Sequence, residues 1–163
     1  MLNLDELYQY YFNDIYRFLL SLSHDHHIAE DLLQETFFRA YLYLENYEDE
    51  HVKTWLFTVA RNTFIDHYRK EKRMIVKDQP FFKQYRDDHK QPLDQIVLSE
   101  QIQHVKKLLE HLPNRQKQAV LLRDFHDFSY KEGAKVMNVS IANFKVLLFR
   151  GRQTIRKRKA GDE

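Results

Sequence analysis

Apolar side chains recur in this chain at steps of three and four residues through most of its length, a period that fits helix and excludes strand. In the first run Leu4, Leu7, Tyr8, Tyr11, Phe12, Ile15, Phe18, Leu19 and Leu22 share one face, preceded by Asn3 and Glu6 at the spacing of a capping pair. A second run begins after Asp25 and aligns Ala29, Leu32, Leu33, Phe37, Ala40, Tyr41 and Leu44. A third takes over near Val52 and aligns Trp55, Leu56, Val59, Ala60, Thr63 and Phe64. With 3 Gly and 3 Pro in 163 residues the chain lacks the material for the many turns of a β-fold. The expected fold class is all-α.

The three runs predict a helical domain over residues 1–74. From Ile75 to Leu93 the pattern lapses into the polar, Pro-bounded KDQPFFKQYRDDHKQP, relieved only by Phe81, Phe82 and Tyr85, which predicts a flexible linker. A second small helical domain, 94–163, then opens on the stripe Leu98, Ile102, Val105, Leu109 and Leu112, stops at Pro113, and continues in three shorter helices. Charge divides the same way. Residues 1–74 hold 8 Lys and Arg against 13 Asp and Glu, whereas residues 94–163 hold 14 against 8. The C-terminal half is therefore the natural binder of a polyanion.

The absence of Cys rules out disulfides and thiolate zinc sites and suits a reducing compartment. The acidic, amphipathic start is unlike a secretory signal, and no apolar run approaches the roughly 18 residues of a membrane span. These features predict a cytoplasmic protein.

The segment SYKEGAKVMNVSIANFKVLLFRGRQTIRKRK reads as a helix-turn-helix. Ser129 and Glu132 form a capping box, Ala134 is small where two helices approach closely, and Asn138 stands at the turn, where left-handed dihedrals are needed. Ser140 caps the second helix, with Phe144, Leu148 and Ile155 on its inner face. Seven basic residues and no acid lie between Lys145 and Lys159, a strip that supplies salt-dependent affinity for a DNA backbone.

In this order and over nearly the whole length, the chain resembles the extracytoplasmic-function sigma factors. AEDLLQETFFRAY and WLFTVARNTFIDHYRK resemble that family's second conserved region, and LPNRQKQAVLLRDFHDFSYKEGAKVMNVSIANFKVLLFRGR its fourth. The resemblance implies a non-enzymatic protein without a cofactor that binds core RNA polymerase and promoter DNA and is held in check by an anti-sigma factor, often membrane-anchored. It implies docking on the polymerase clamp helices through Asp31, Leu33, Gln34, Glu35 and Phe38. The minus-ten element would be met by Asn46, Tyr47, Asn62, Asp66, Arg69 and Arg73, with Asp66 positioning Arg69; Tyr47 is either a stacking platform for a flipped base or a rim aromatic. The minus-thirty-five element would be met by Ser140, Asn143, Lys145, Arg150 and Arg152, with Arg152 on phosphate.

Four residues depart from the family pattern. Gly133 and Gly151 stand where Ile and Ala are usual, each costing a helix interior about 1 kcal/mol relative to Ala unless close packing requires it. Val146 and Leu147 stand where a polar residue is common in the recognition helix. Two other readings compete. His24, Asp25, His26, His27, Glu30 and Asp31 include metal-ligand spacings, although no metal role is assigned to them. A stand-alone helix-turn-helix regulator is the alternative function, and it leaves the N-terminal half unexplained.

Overall fold

A computed structural model of the chain describes residues 3–44, 51–77 and 100–161. Among these there are seven α-helices, one π-helical turn and no strand. Helices α1 (Leu4–Ser23), α2 (His26–Leu44) and α3 (Val52–Lys77) form the N-terminal half. The C-terminal half comprises α4 (Glu100–Glu110), α5 (Asn114–Val120) with its π-helical continuation Leu121–Phe125, α6 (Tyr130–Met137) and α7 (Ile141–Gly161).

The ends of α1 and α2 follow from local chemistry. The Asn3 side chain accepts from the Glu6 amide at 2.8 Å, satisfying one of the free donors of the first turn. α1 ends where His24 adopts φ 57°, ψ 22°, a left-handed conformation that stops the helix, and its amide donates to the Leu20 carbonyl. Asp25 Oδ1 then accepts from the amides of His27 and Ile28 at 2.9 and 3.1 Å and starts α2.

Leu7, Ile15, Phe18, Leu19 and Leu22 of α1 pack against Ala29, Leu32, Leu33, Phe37 and Ala40 of α2 and Leu56, Ala60 and Phe64 of α3. Each such large apolar side chain, fully buried, contributes about 1.5–3 kcal/mol. Tyr41, expected on the buried face, is 59% exposed, next to a fully buried Ala40. Trp55 and Val59 are only partly buried.

The C-terminal half is built around Leu109, Leu112, Val120, Leu121, Leu122, Val136, Met137, Phe144 and Leu148. Leu98, the linker aromatics Phe81, Phe82 and Tyr85, and the side chains of Leu44, Ile102 and Val105 lie outside the described residues, as does the acidic stretch from Glu45 to Glu50. α3 remains helical to Lys77, so the expected boundary at Met74 falls inside a helix. α7 is also longer than expected, 21 residues against 11 for α4.

The two halves touch. Phe57 is 0% exposed, although it lies off the expected buried stripe of α3, because its ring packs on Phe18 and on His126 and Phe128 beyond the π-helical turn. That turn is closed by the His126 amide on the Leu121 carbonyl and followed by the Phe128 amide on the Leu122 carbonyl, both at 3.0 Å. It directs two rings into the N-terminal half. Lys53 Nζ donates to the His126 carbonyl and stands 4.6 Å over the Phe128 ring. Farther along α3, Arg61 Nε donates to Gln118 Oε1 at 2.6 Å.

Candidate nucleic-acid interface

Helices α6 and α7 form the expected helix-turn-helix. Ser129 Oγ accepts from the Glu132 amide at 3.1 Å and Ser140 Oγ from the Asn143 amide at 3.0 Å, so both helix starts are capped by their own serines. Asn138 has φ 56°, ψ 47°, and the next amide, Val139, donates to the Ala134 carbonyl at 3.0 Å, the closing bond of a left-handed helix stop.

Both helical glycines have a steric reason. A Cβ at Gly133 would stand 2.5 Å from Phe144 Cζ, and one at Gly151 2.7 Å from Val120 Cγ2 and 3.1 Å from the Gln116 carbonyl oxygen. Gly133 thus lets the Phe144 ring lie against α6, and Gly151 lets α7 lie against α5. The close packing supplies what the glycines lose in helix propensity.

Ser140, Asn143, Lys145 and Arg150 are exposed on α7. Lys145 Nζ lies 5.3 Å from the Tyr130 ring centroid, which keeps its ammonium beside the start of α6. Arg152, expected to be free for phosphate, is instead held by Asp124, with Nη2 and Nε at 2.6 and 3.1 Å from its two oxygens. The Asp124 carboxylate holds its guanidinium above the usual arginine range.

On α3, Asn62, Arg69 and Arg73 are exposed and spaced along the helix. Asp66 does not position Arg69. Its carboxylate accepts from Arg39 Nη1 at 2.9 Å, and Arg39 Nε reaches Glu35 at 3.1 Å, so the acid ties α2 to α3. Asn46 and Tyr47 lie outside the described residues.

On α2, Asp31, Gln34, Glu35 and Phe38 are exposed on one side of the helix, with Phe38 57% accessible. Leu33 is 5% exposed and packs in the core behind that face. In the histidine cluster, His24 turns toward Lys117, while His26 engages the Tyr16 hydroxyl and lies 3.0 Å from Glu30. Among the described residues no group of three or more metal-ligating side chains is assembled. Sequence reasoning missed the open groove of about 410 Å³ between α4, the π-helical turn and α7, floored by Leu108, Leu109 and Ile155 and edged by Arg156 and Lys159. No helix among the described residues is long and apolar enough to cross a membrane.

Residues 7–74 match Sigma-70 region 2 and residues 102–155 match Sigma-70 region 4. The ECF RNA polymerase sigma factor SigM of Bacillus subtilis is 42% identical over 156 residues, spanning 95% of this chain and 94% of that protein. The chain is an extracytoplasmic-function sigma factor. RNA polymerase sigma factor YlaC of the same organism is 29% identical over 95% of the chain and 91% of its own length. Among solved structures, the sigma factor RpoE in complex with the anti-sigma factor NepR from Bartonella quintana superposes with a TM-score of 0.79 at 26% identity over 98% of both chains.

A sigma factor directs RNA polymerase to promoters, and this one carries region 2 and region 4 in the order the sequence anticipated. The stand-alone regulator reading is not favoured, because the N-terminal half is region 2. Asp31, Gln34, Glu35 and Phe38 share an exposed face of α2, and exposed cations line α7 and the distal part of α3.

Proposed function

We propose that α2 docks on core RNA polymerase through Asp31, Gln34, Glu35 and Phe38, that α3 meets the minus-ten element through Asn62, Arg69 and Arg73, and that α7 meets the minus-thirty-five element through Ser140, Asn143, Lys145 and Arg150. Asn46 and Tyr47 complete the minus-ten set by sequence. The observation that carries this reading is the joint presence in one chain of an exposed acidic-apolar face on α2 and a doubly capped helix-turn-helix whose outer helix bears no acid. Acids and an amide beside an aromatic ring suit a helical partner rich in arginine, while an acid-free cationic helix suits phosphate.

The protein works in the cytoplasm as a non-enzymatic factor, and an anti-sigma protein restrains it, as NepR binds the related RpoE. Size-exclusion chromatography with bacterial core polymerase tests the docking face. The wild-type chain co-elutes one-to-one with core, and a Gln34→Ala, Phe38→Ala double variant elutes free. Co-elution of that variant at wild-type affinity would remove α2 from the polymerase contact.

A further inference from the structure

Ala142, Val146 and Phe149 succeed one another at i, i+4 and i+7 on α7, opposite the buried residues Phe144, Leu148 and Gly151. All three are exposed, Val146 at 45% and Phe149 at 64%. The recognition helix of this factor therefore points an apolar stripe outward at the position where its family commonly has a polar side chain. Two stretches of cationic and polar residues flank the stripe, Lys145 and Arg156 on one side and Asn143 and Arg150 on the other, and no acid occurs from Asn138 to Gly161.

An apolar centre between cationic edges calls for a partner that is anionic at its borders and apolar within. A protein helix with that pattern would need acids along both rims of one groove. Duplex DNA presents it without adaptation, because phosphates border the major groove and the thymine C5-methyl is the apolar group displayed on its floor. An α-helix fits that groove, and helix-turn-helix proteins place the N-terminal part of the second helix there. Ala142 and Val146 lie in the first two turns of α7, behind the Ser140 cap.

We propose that the stripe Ala142, Val146 and Phe149 reads thymine methyl groups in the major groove of the upstream promoter element, with Val146 as the central specificity residue. The inference rests on the assignment of α7 to the minus-thirty-five element and supplies its chemistry. Asn143, Lys145 and Arg150 set affinity and register, Ala142 lets the helix backbone approach the bases, and Val146 and Phe149 each cover one methyl. Hydrogen-bonding readout is correspondingly reduced. The element then contains at least one thymine whose methyl, rather than its O4, is recognised.

The test uses holoenzyme assembled from core polymerase and the full chain. Promoters are selected from a library randomised upstream, and each thymine of the selected element is replaced by deoxyuridine, which removes only the methyl. Burial of one methyl is worth about fourfold in affinity. Wild-type holoenzyme is expected to lose about that factor at one or two positions, while Val146→Ala loses it on the thymine duplex and is indifferent to the replacement at the position Val146 covers. Lys145→Ala, as a contrast, weakens both duplexes equally.

Indifference of the wild type to every uracil, or an upstream element without thymine, would overturn the methyl reading and leave the sigma assignment standing. If holoenzyme selects no upstream sequence at all, the assignment of α7 fails with it.

Discussion

Lys117 on α5 and His24 at the end of α1 meet at 2.6 Å across the contact between the two halves, the ammonium donating to imidazole Nε2. Lys117 is only 2% exposed, and burial pushes its pKa down to about 8 against a smaller opposing pull from Glu110. Burial likewise lowers His24 to about 4, helped by Lys117 and Lys106, so the ring is neutral at pH 7 and can accept the hydrogen bond from Lys117. At the other side of the contact, His126 is also lowered to about 4 by burial; Asp14 and Asp127 pull it up, and Lys53 and Arg17 press it down.

The sign of the pH response follows. Both histidines are more basic in the open chain, near 6.5, than in the closed one, so the closed arrangement is fully favoured above pH 6.5 and loses stability as pH falls toward 4. Lys117 acts in the same sense higher up, the contact gaining stability from pH 8 to 10.5. Dyes on α2 and α7 should move apart between pH 6.5 and 4.5 while helical circular dichroism persists. His24→Gln with His126→Gln should flatten that response, and an unchanged response in the double variant would exclude these rings as its origin.

Gly133→Ala forces a methyl into the Phe144 ring and should cost about 1–3 kcal/mol, the range for overpacking a tight contact. Thermal unfolding reads the loss. Phe144→Leu added to Gly133→Ala should recover part of it, whereas a Gly133→Ala protein as stable as wild type would contradict the packing.

Leu33→Ala and Phe38→Ala separate support from contact on α2. The first removes a core side chain and should cost about 2–5 kcal/mol of stability. The second should leave stability within about 0.5 kcal/mol and weaken core polymerase binding. Measuring melting temperature and core affinity for both variants checks the pair.

Replacing an exposed α7 cation that contacts phosphate should reduce the slope of log affinity against log salt by about 1. Lys145→Ala and Arg150→Ala are expected to do so in holoenzyme titrations. Arg152→Ala should instead act mainly through its lost pairing with Asp124, a partly exposed ion pair worth about 0.2–1 kcal/mol.

Features governed by near neighbours in sequence were legible without coordinates. The Asn3, Ser129 and Ser140 caps, the left-handed Asn138 and the buried stripe of α1, apart from the exposed Tyr8, all depend on residues one or two turns apart. Features set by distant residues were not. Phe57 is buried by His126 and Phe128, Arg39 takes Asp66 from Arg69, and Arg152 takes Asp124, pairings separated by 27 residues or more. The burial of Leu33 was not legible for a related reason. Its motif points to a partner surface, but α2 turns that side chain to the core while its neighbours Gln34 and Glu35 remain outside. The contact between the halves joins residues far apart in sequence, Arg61 and Gln118 being separated by 57 positions, so nothing local announced it.

Transcription reconstituted from purified bacterial core polymerase and this protein on a promoter template tests the central claim most directly. The expected result is initiation at one discrete start site that depends on the protein and is lost both with Gln34→Ala, Glu35→Ala and with Arg150→Ala. Tight binding of the protein to promoter DNA in isolation, with no start site ever conferred on core polymerase, would contradict it.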